Sequence, residues 1–380
     1  MGLLFFLGAS RDLSGPWERS RFGEQFVEQQ SPMQLLWKAS AMSLIEYTSI
    51  RTEDGQTVRA RASLVISASR RTDIPAFYAD WFFARLAKGY LATLNPFNGT
   101  RSYVSFERTR FVVFWSKNPR PLVRYLPLLR ERGIGCLVHY TLNDYEEDGL
   151  ERVPNLDFRL ETFGQLSSEL GRDAVVWRFD PLLLTKTVSV ETLLARILAL
   201  GDILKDWTKR LVFSFADIAT YRKVRNNLAR FGVAYREWSE EEMREFAKRL
   251  AELNRERSWN LELATCGEEV DLSAYGIGHG RCIDPELVAR LASGDKDLLR
   301  GMGQGPALPG ITPPPLSAAL KDRGQRPSCG CMQAVDVGEY NTCPHLCRYC
   351  YANTSEKSVL ANFAHHREHP EAPMLVWKGE

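Results

Sequence analysis

The segment NTCPHLCRYCYAN (341–353) places Cys343, Cys347 and Cys350 in C-x3-C-x2-C spacing, and four further thiols, Cys266, Cys282, Cys329 and Cys331, are scattered along the chain before it. All of the eight cysteines but Cys136 lie after residue 260. The opening MGLLFFLGASRD has a short apolar run with no basic residue before it, which is not a signal-peptide pattern, so the thiols read as metal ligands or reactive groups rather than disulfides. Cys136, alone in the apolar run GCLVHY, reads as a buried small hydrophobe. A structural zinc site takes four ligands, usually from two C-x2-C knuckles, and the 343–350 loop has one. His345 as the fourth ligand would crowd three ligands into five residues. A four-iron cluster held by three thiolates instead leaves one iron open, and an open iron can chelate a small molecule. Tyr349 would shield one face of it or simply pack. Cys266, Cys282, Cys329 and Cys331 make a complete ligand set of their own, for an auxiliary iron–sulfur cluster or a structural zinc, with Asp271, His279 and Asp284 as possible substitutes.

Positioning such groups requires a frame. Six short runs rich in β-branched and aromatic residues, at 63–69, 110–115, 135–141, 174–179, 210–215 and 260–265, alternate with helical patterns. Leu122, Tyr125, Leu126 and Leu129 keep the i, i+3, i+4, i+7 spacing of an amphipathic helix, and so do Met243, Phe246, Ala247 and Leu250. Strands apolar on both faces and separated by helices predict an α/β fold with a parallel sheet, as a partial or closed β/α barrel. No G-x-G-x-x-G follows the first strand, which disfavours a dinucleotide-binding sheet. In a β/α barrel the active site collects at the strand exits. Those exits are polar, and Arg70, Arg71, Asp73, Lys117, Asn118, Arg178 and Asp180 are expected at one mouth, where they grip carboxylate, ribose or phosphate groups or form ion pairs clamping the loops. His139 at a strand end reads as a satisfied near-core histidine.

Three stretches follow: residues 1–60 as an extension with a hairpin turning at Asp54-Gly55, 61–270 as the barrel core, and 271–380 as a cysteine-rich segment that completes the barrel and binds metal. The Gly/Pro-rich 301–316 is expected to be a linker or extended wrap, 333–337 a short strand and 355–366 a closing helix, with His365, His366 and His369 on a solvated tail. The formal net charge of +2 gives no bulk bias towards nucleic acid, and the stripe formed by Arg101, Arg108, Arg110, Lys117, Arg120, Arg124, Arg130 and Arg132 is a nucleic-acid surface or merely a solvated one. No run of 18 apolar residues suggests a membrane span, so a cytoplasmic protein is expected.

Cys343, Cys347 and Cys350, with Tyr349 before the last, resemble the C-x3-C-x-aromatic-C signature of radical S-adenosylmethionine enzymes. That resemblance implies a [4Fe–4S] cluster, S-adenosylmethionine chelated on its fourth iron, a 5′-deoxyadenosyl radical acting on an unknown substrate, and an electron donor such as a flavodoxin or ferredoxin. Over residues 64–375, ISASRRTDIPAFYADWF, VFWSKNPRPL, WRFDP and YNTCPHLCRYCYAN resemble the bacterial family named domain of unknown function 1848, noted for a C-terminal cysteine cluster of this type. In radical S-adenosylmethionine enzymes the motif follows the first strand of a six-stranded β/α barrel, whereas here it follows six strands. The resemblance therefore implies a circularly permuted barrel in which 333–337 takes the first-strand place beside 63–69. No clear Gly-Gly-Glu stretch for the S-adenosylmethionine amino group is present. Two other readings stay open: a zinc-stabilised binding protein, and an iron–sulfur electron-transfer protein that ignores S-adenosylmethionine.

Overall fold

The structure is a computed structural model that describes residues 43–95, 98–304, 316, 320–326 and 328–376. The expectations for residues 1–40 and for most of the Gly/Pro-rich 301–316 lie outside the described residues. Everything described belongs to one compact unit, Ser40–Glu380.

Eight strands build the main sheet: β1 (Val65–Ala68), β2 (Phe111–Ser116), β3 (Gly135–Thr141), β4 (Val175–Leu182), β5 (Arg210–Phe215), β6 (Glu262–Cys266), β7 (Gly278–Gly280) and β8 (Val335–Asp336). Their spatial order is β8-β1-β2-β3-β4-β5-β6-β7, and every neighbouring pair is parallel. The six strands read from apolar runs are all present, and the short strand near 333–337 lies beside β1 with Val335 opposite Ile66. Among the described residues no ladder joins β7 to β8, so the sheet is open and the closed form of the barrel is not what the chain adopts. The reason lies in length: β7 has three residues and β8 two, too few to carry a ladder around the seam.

Both faces of the strands are buried, which explains their apolar sequences. Ile66, Val112, Val138, Trp177 and Phe213 point into a core shared with the helices Leu156–Leu170, Val190–Leu204 and Glu240–Glu256, where Phe246, Ala247 and Leu250 form the inward stripe. The alternate residues Val65, Val113, Leu137, Val176 and Val212 face a second core, filled by Ile283, Leu287, Val288, Leu298 and Met302. Ser239 and Glu242 close a capping box at the start of helix Glu240–Glu256, satisfying end donors that the first turn cannot pair internally. Leu122, Leu126 and Leu129 are buried, although a 3-10 segment, Arg120–Tyr125, precedes the α-helix Leu126–Glu131. The hairpin turning at Asp54-Gly55 forms between Ile45–Arg51 and Thr57–Ser63 and extends into a four-stranded sheet with Arg101–Ser105 and Tyr90–Leu94.

Asp336 docks β8 onto β1. Its carboxylate accepts from Ser67 Oγ at 2.6 Å, Arg70 N at 2.9 Å, Arg71 Nε at 3.0 Å and Ser69 Oγ at 3.1 Å. Two residues on, Gly338 lies so close to β1's exit that a Cβ there would meet Ser69 Oγ at 1.8 Å and Ser69 Cβ at 2.5 Å. Gly338→Ala is expected to destabilise the fold by about 1–3 kcal/mol through overpacking, read as a lower urea midpoint. An unchanged midpoint would mean that β8 is not held this tightly.

Candidate metal centre

The C-x3-C-x2-C loop leaves directly from β8 and is fastened by its backbone. Asn353 Nδ2 donates to Cys343 O at 2.9 Å, and Asn227 Nδ2 donates to Cys350 O at 2.9 Å and to Asn353 O at 3.0 Å. Tyr78 Oη donates to Thr342 O at 2.5 Å. Asn341 and Leu346 sit at φ 59° and 49°, a left-handed conformation uncommon for residues with a Cβ. These contacts use carbonyls and amides, and of the three sulfurs Cys350 Sγ accepts from Ala352 N at 3.3 Å. Burial pushes the Cys343 and Cys347 thiols well above their ordinary range, so as metal-free groups they are neutral, and a bound metal is what would ionise them. The three thiols share one loop, their sulfurs not all within 4.8 Å of one another, and as a donor set they fit an iron–sulfur cluster with one protein ligand short of four.

His345 is not that fourth ligand. Its Nδ1 lies 2.9 Å from Arg152 O and its Nε2 lies 2.9 Å from Asp73 Oδ2, so both ring nitrogens are engaged. Asp73 also accepts from Ala76 N at 3.0 Å as a helix N-cap and from Lys117 N at 2.7 Å. One carboxylate thus ties the exits of β1 and β2 to the cysteine loop.

Tyr349 does more than pack. Its hydroxyl donates to Glu151 Oε1 and receives Lys117 Nζ at 3.0 Å and Asn143 Nδ2 at 3.1 Å. Lys117 Nζ also bonds Glu151 Oε1 at 2.9 Å. Burial opposes charge on both partners, yet the attraction between them holds Glu151 below and Lys117 above its ordinary value. The network continues from Asn143, whose Oδ1 accepts from Asp180 N at 2.8 Å, to Asp180, whose Oδ2 accepts from Arg178 Nε at 3.1 Å.

Arg178 leads to the other four thiols. Its Nη1 donates to Cys282 Sγ at 3.3 Å, and Cys282 Sγ lies 3.1 Å from Cys266 Sγ. Cys331 Sγ accepts from Cys282 N at 3.2 Å and Ile283 N at 3.4 Å. Cys329 is lowered to about 7, mainly by hydrogen bonding with Cys331. The four thiols therefore assemble from the end of β6, the exit of β7 and the segment before β8.

The residues expected at one mouth divide between these two groups. Asp73 and Lys117 serve the first loop, Arg70, Arg178 and Asp180 the second, and Arg71 pairs with Asp336. Asn118 keeps a buried Oδ1 without a partner. His139 is 2% exposed, bonds Cys282 O through Nε2 at 2.6 Å and stacks on Trp115, which is the near-core placement expected of it, but it is only half satisfied because its buried Nδ1 has no partner. Asp284 is a helix N-cap paired with Arg210 at 3.0 Å, and Asp271 caps Ser273 N at 2.9 Å, so both are committed away from the thiols. Glu151, Asn143 and Asp336 were not singled out from sequence. A charged residue inside the predicted strand 333–337 was the available signal for Asp336; Glu151, in an irregular loop, had none. The stripe arginines Arg108, Arg110, Arg120, Arg124 and Arg130 pair with Glu46, Asp297, Glu161, Asp80 and Glu169, which leaves that surface largely neutralised. Among the described residues, no helix is long and apolar enough to cross a membrane.

Beside the loop lies a cavity of about 530 Å³ lined by Arg71, Lys223, Glu339, Tyr340, Asn341 and Asn362, with Leu94, Asn95, Gly99 and Val376. The Arg71 and Lys223 cations sit 5.6 and 4.9 Å from the Tyr340 ring centroid. Glu339 accepts from Val376 N at 3.1 Å through Oε2, while its buried Oε1 has no partner. Burial pushes this carboxyl from 4.5 up to about 7. The folded state then holds the proton more tightly, so the stabilisation is complete below about 4.5 and lost as pH rises through about 7. Glu339→Gln is expected to flatten the fall in urea midpoint across that window; an unaltered slope would assign it to other groups.

No curated protein and no solved structure matches the chain. The profile of the family described as "Domain of unknown function (DUF1848)" matches residues 65–352, and the chain belongs to that family.

Proposed function

We propose that this protein is a radical S-adenosylmethionine enzyme in which Cys343, Cys347 and Cys350 hold a four-iron cluster and leave one iron for the amino and carboxylate groups of S-adenosylmethionine. The observation that carries the reading is the place of the loop. It follows a strand, β8, that lies beside β1, so the parallel sheet runs β8 and then β1 to β6 in unbroken order with the cysteines after the first. The engagement of both His345 nitrogens further favours an open three-thiolate site over closed zinc coordination.

Such a cluster, when bound, supplies the one-electron reductive cleavage of S-adenosylmethionine, with the electron coming from a flavodoxin or ferredoxin. The chain's own residues do the rest. Asp73, through His345, and Asn353, through Cys343 O, fix the loop; Lys117, Glu151 and Asn143 fix the Tyr349 ring against it and exclude water. Arg71 and Lys223 flank the neighbouring cavity and suit a substrate carrying a carboxylate or phosphate.

The test is anaerobic purification with iron and sulfide analysis, followed by incubation with dithionite and S-adenosylmethionine. The wild type is expected to form 5′-deoxyadenosine, and Cys347→Ala to lose about four irons per chain together with that product. A cluster indifferent to S-adenosylmethionine would point to an electron-transfer protein. Zinc in place of iron would point to a binding protein.

A further inference from the structure

We propose that Cys266, Cys282, Cys329 and Cys331 bind a second iron–sulfur cluster, fully ligated by the chain, which clasps the seam between the two edge strands of the open sheet. Three observations carry this, independently of what the 343–350 loop binds. The first is placement. β7 and β8 are the free edges, and Cys266 ends β6, Cys282 lies two residues past β7, and Cys329 and Cys331 precede β8. Across this seam Met332 N donates to Ile283 O at 3.0 Å, so the thiols converge where hydrogen-bonded pairing is sparse.

The second is the polar surround. Thiols in an apolar pocket need none, yet a buried arginine, Arg178, and a half-buried one, Arg70, accompany these. Arg178, 3% exposed, donates from Nη1 to Cys282 Sγ at 3.3 Å, and Arg70, whose guanidinium lies in the field of Cys331, Cys282 and Cys329, keeps a buried Nη2 with no partner. A buried guanidinium donor without a partner asks for an anion, and a thiolate-ligated cluster presents bridging sulfides as well as thiolates. The two backbone N–H groups on Cys331 Sγ are of the kind that tune such clusters.

The third is breadth. A single zinc with bonds of about 2.3 Å holds its four sulfurs about 3.8 Å apart on every edge of a tetrahedron. Cys266 and Cys282 are close neighbours, but among the described residues no three of these thiols lie mutually within 4.8 Å. The four sulfurs together therefore span more than the tetrahedron of one ion, which suits a group of several atoms with Cys266 and Cys282 as one close pair.

The experiment compares wild type, Cys329→Ser/Cys331→Ser and Cys343→Ser/Cys347→Ser, each purified full-length without oxygen, for iron, acid-labile sulfide and zinc per chain, with limited proteolysis of the same samples. The proposal expects Cys329→Ser/Cys331→Ser to lose at least two irons with matching sulfide, to keep the iron of the 343–350 loop, and to become susceptible to cleavage between 320 and 334. It expects Cys343→Ser/Cys347→Ser to keep the seam's iron, which separates this claim from the enzyme reading. Should Cys329→Ser/Cys331→Ser fail to fold, Arg70→Gln, which retains all four thiols, is expected to keep iron but shift the reduction potential of a cluster that survives in Cys343→Ser/Cys347→Ser. Loss of zinc instead of iron, or unchanged iron and sulfide in Cys329→Ser/Cys331→Ser, would overturn it.

Discussion

Lys117→Met is expected to destabilise the protein by about 3–5 kcal/mol, the range for breaking a buried ion pair from one side. The Glu151 side chain is fully buried and its Oε2 has no partner, so charge compensation depends on the Lys117 ammonium at 2.9 Å. Asn143 and Tyr349 hydrogen-bond the carboxylate but bring no charge. The loss would be measured as ΔG from urea denaturation at neutral pH, with Lys117→Met/Glu151→Leu as the control. Because an apolar pair of similar volume avoids the unpaired charge, the double variant should recover much of the loss. A single variant within about 0.5 kcal/mol of wild type would match an ordinary surface substitution and remove the argument for a rigid Tyr349.

Asp73→Ala is the second large effect, about 2–4 kcal/mol from a lost helix cap and two buried donors left without an acceptor. Those donors belong to different parts of the site, Lys117 N from the exit of β2 and His345 Nε2 from within the cysteine loop. Stability is therefore only half of the readout. If Asp73 positions the loop through His345, Asp73→Ala should lower the iron retained by the loop after gel filtration, whereas Asp73→Asn, which keeps an acceptor oxygen, should retain most of it. Equal iron in Asp73→Ala and wild type would reduce Asp73 to a helix cap.

The frame was legible because strands buried on both faces must be apolar throughout, and that pattern survives in runs such as RFVVFW and AVVWRF. Even the remote pairing of 335–336 with 65–68 could be reasoned from the motif's need for a first strand. What the sequence hid was distribution. Arg70 and Arg71 are neighbours in the chain, yet one faces the scattered thiols and the other salts Asp336, because successive strand-exit residues turn to different sides. Barrel closure was illegible for a related reason, since it depends on the ladder length of β7 and β8, which composition does not encode. Glu151 escaped notice because its role comes from a loop folding over Lys117 and Tyr349, contacts separated by 34 and 198 positions.

We propose above that the 343–350 loop holds an iron–sulfur cluster with an iron open to S-adenosylmethionine. The most direct measurement is electron paramagnetic resonance of the anaerobically reduced Cys329→Ser/Cys331→Ser protein with and without S-adenosylmethionine, because the seam thiols are then disabled and the signal belongs to the loop. The expected result is a reduced four-iron spectrum whose g-values and line shape change when S-adenosylmethionine is added. A spectrum unmoved by saturating S-adenosylmethionine, or no iron signal at all, would contradict it.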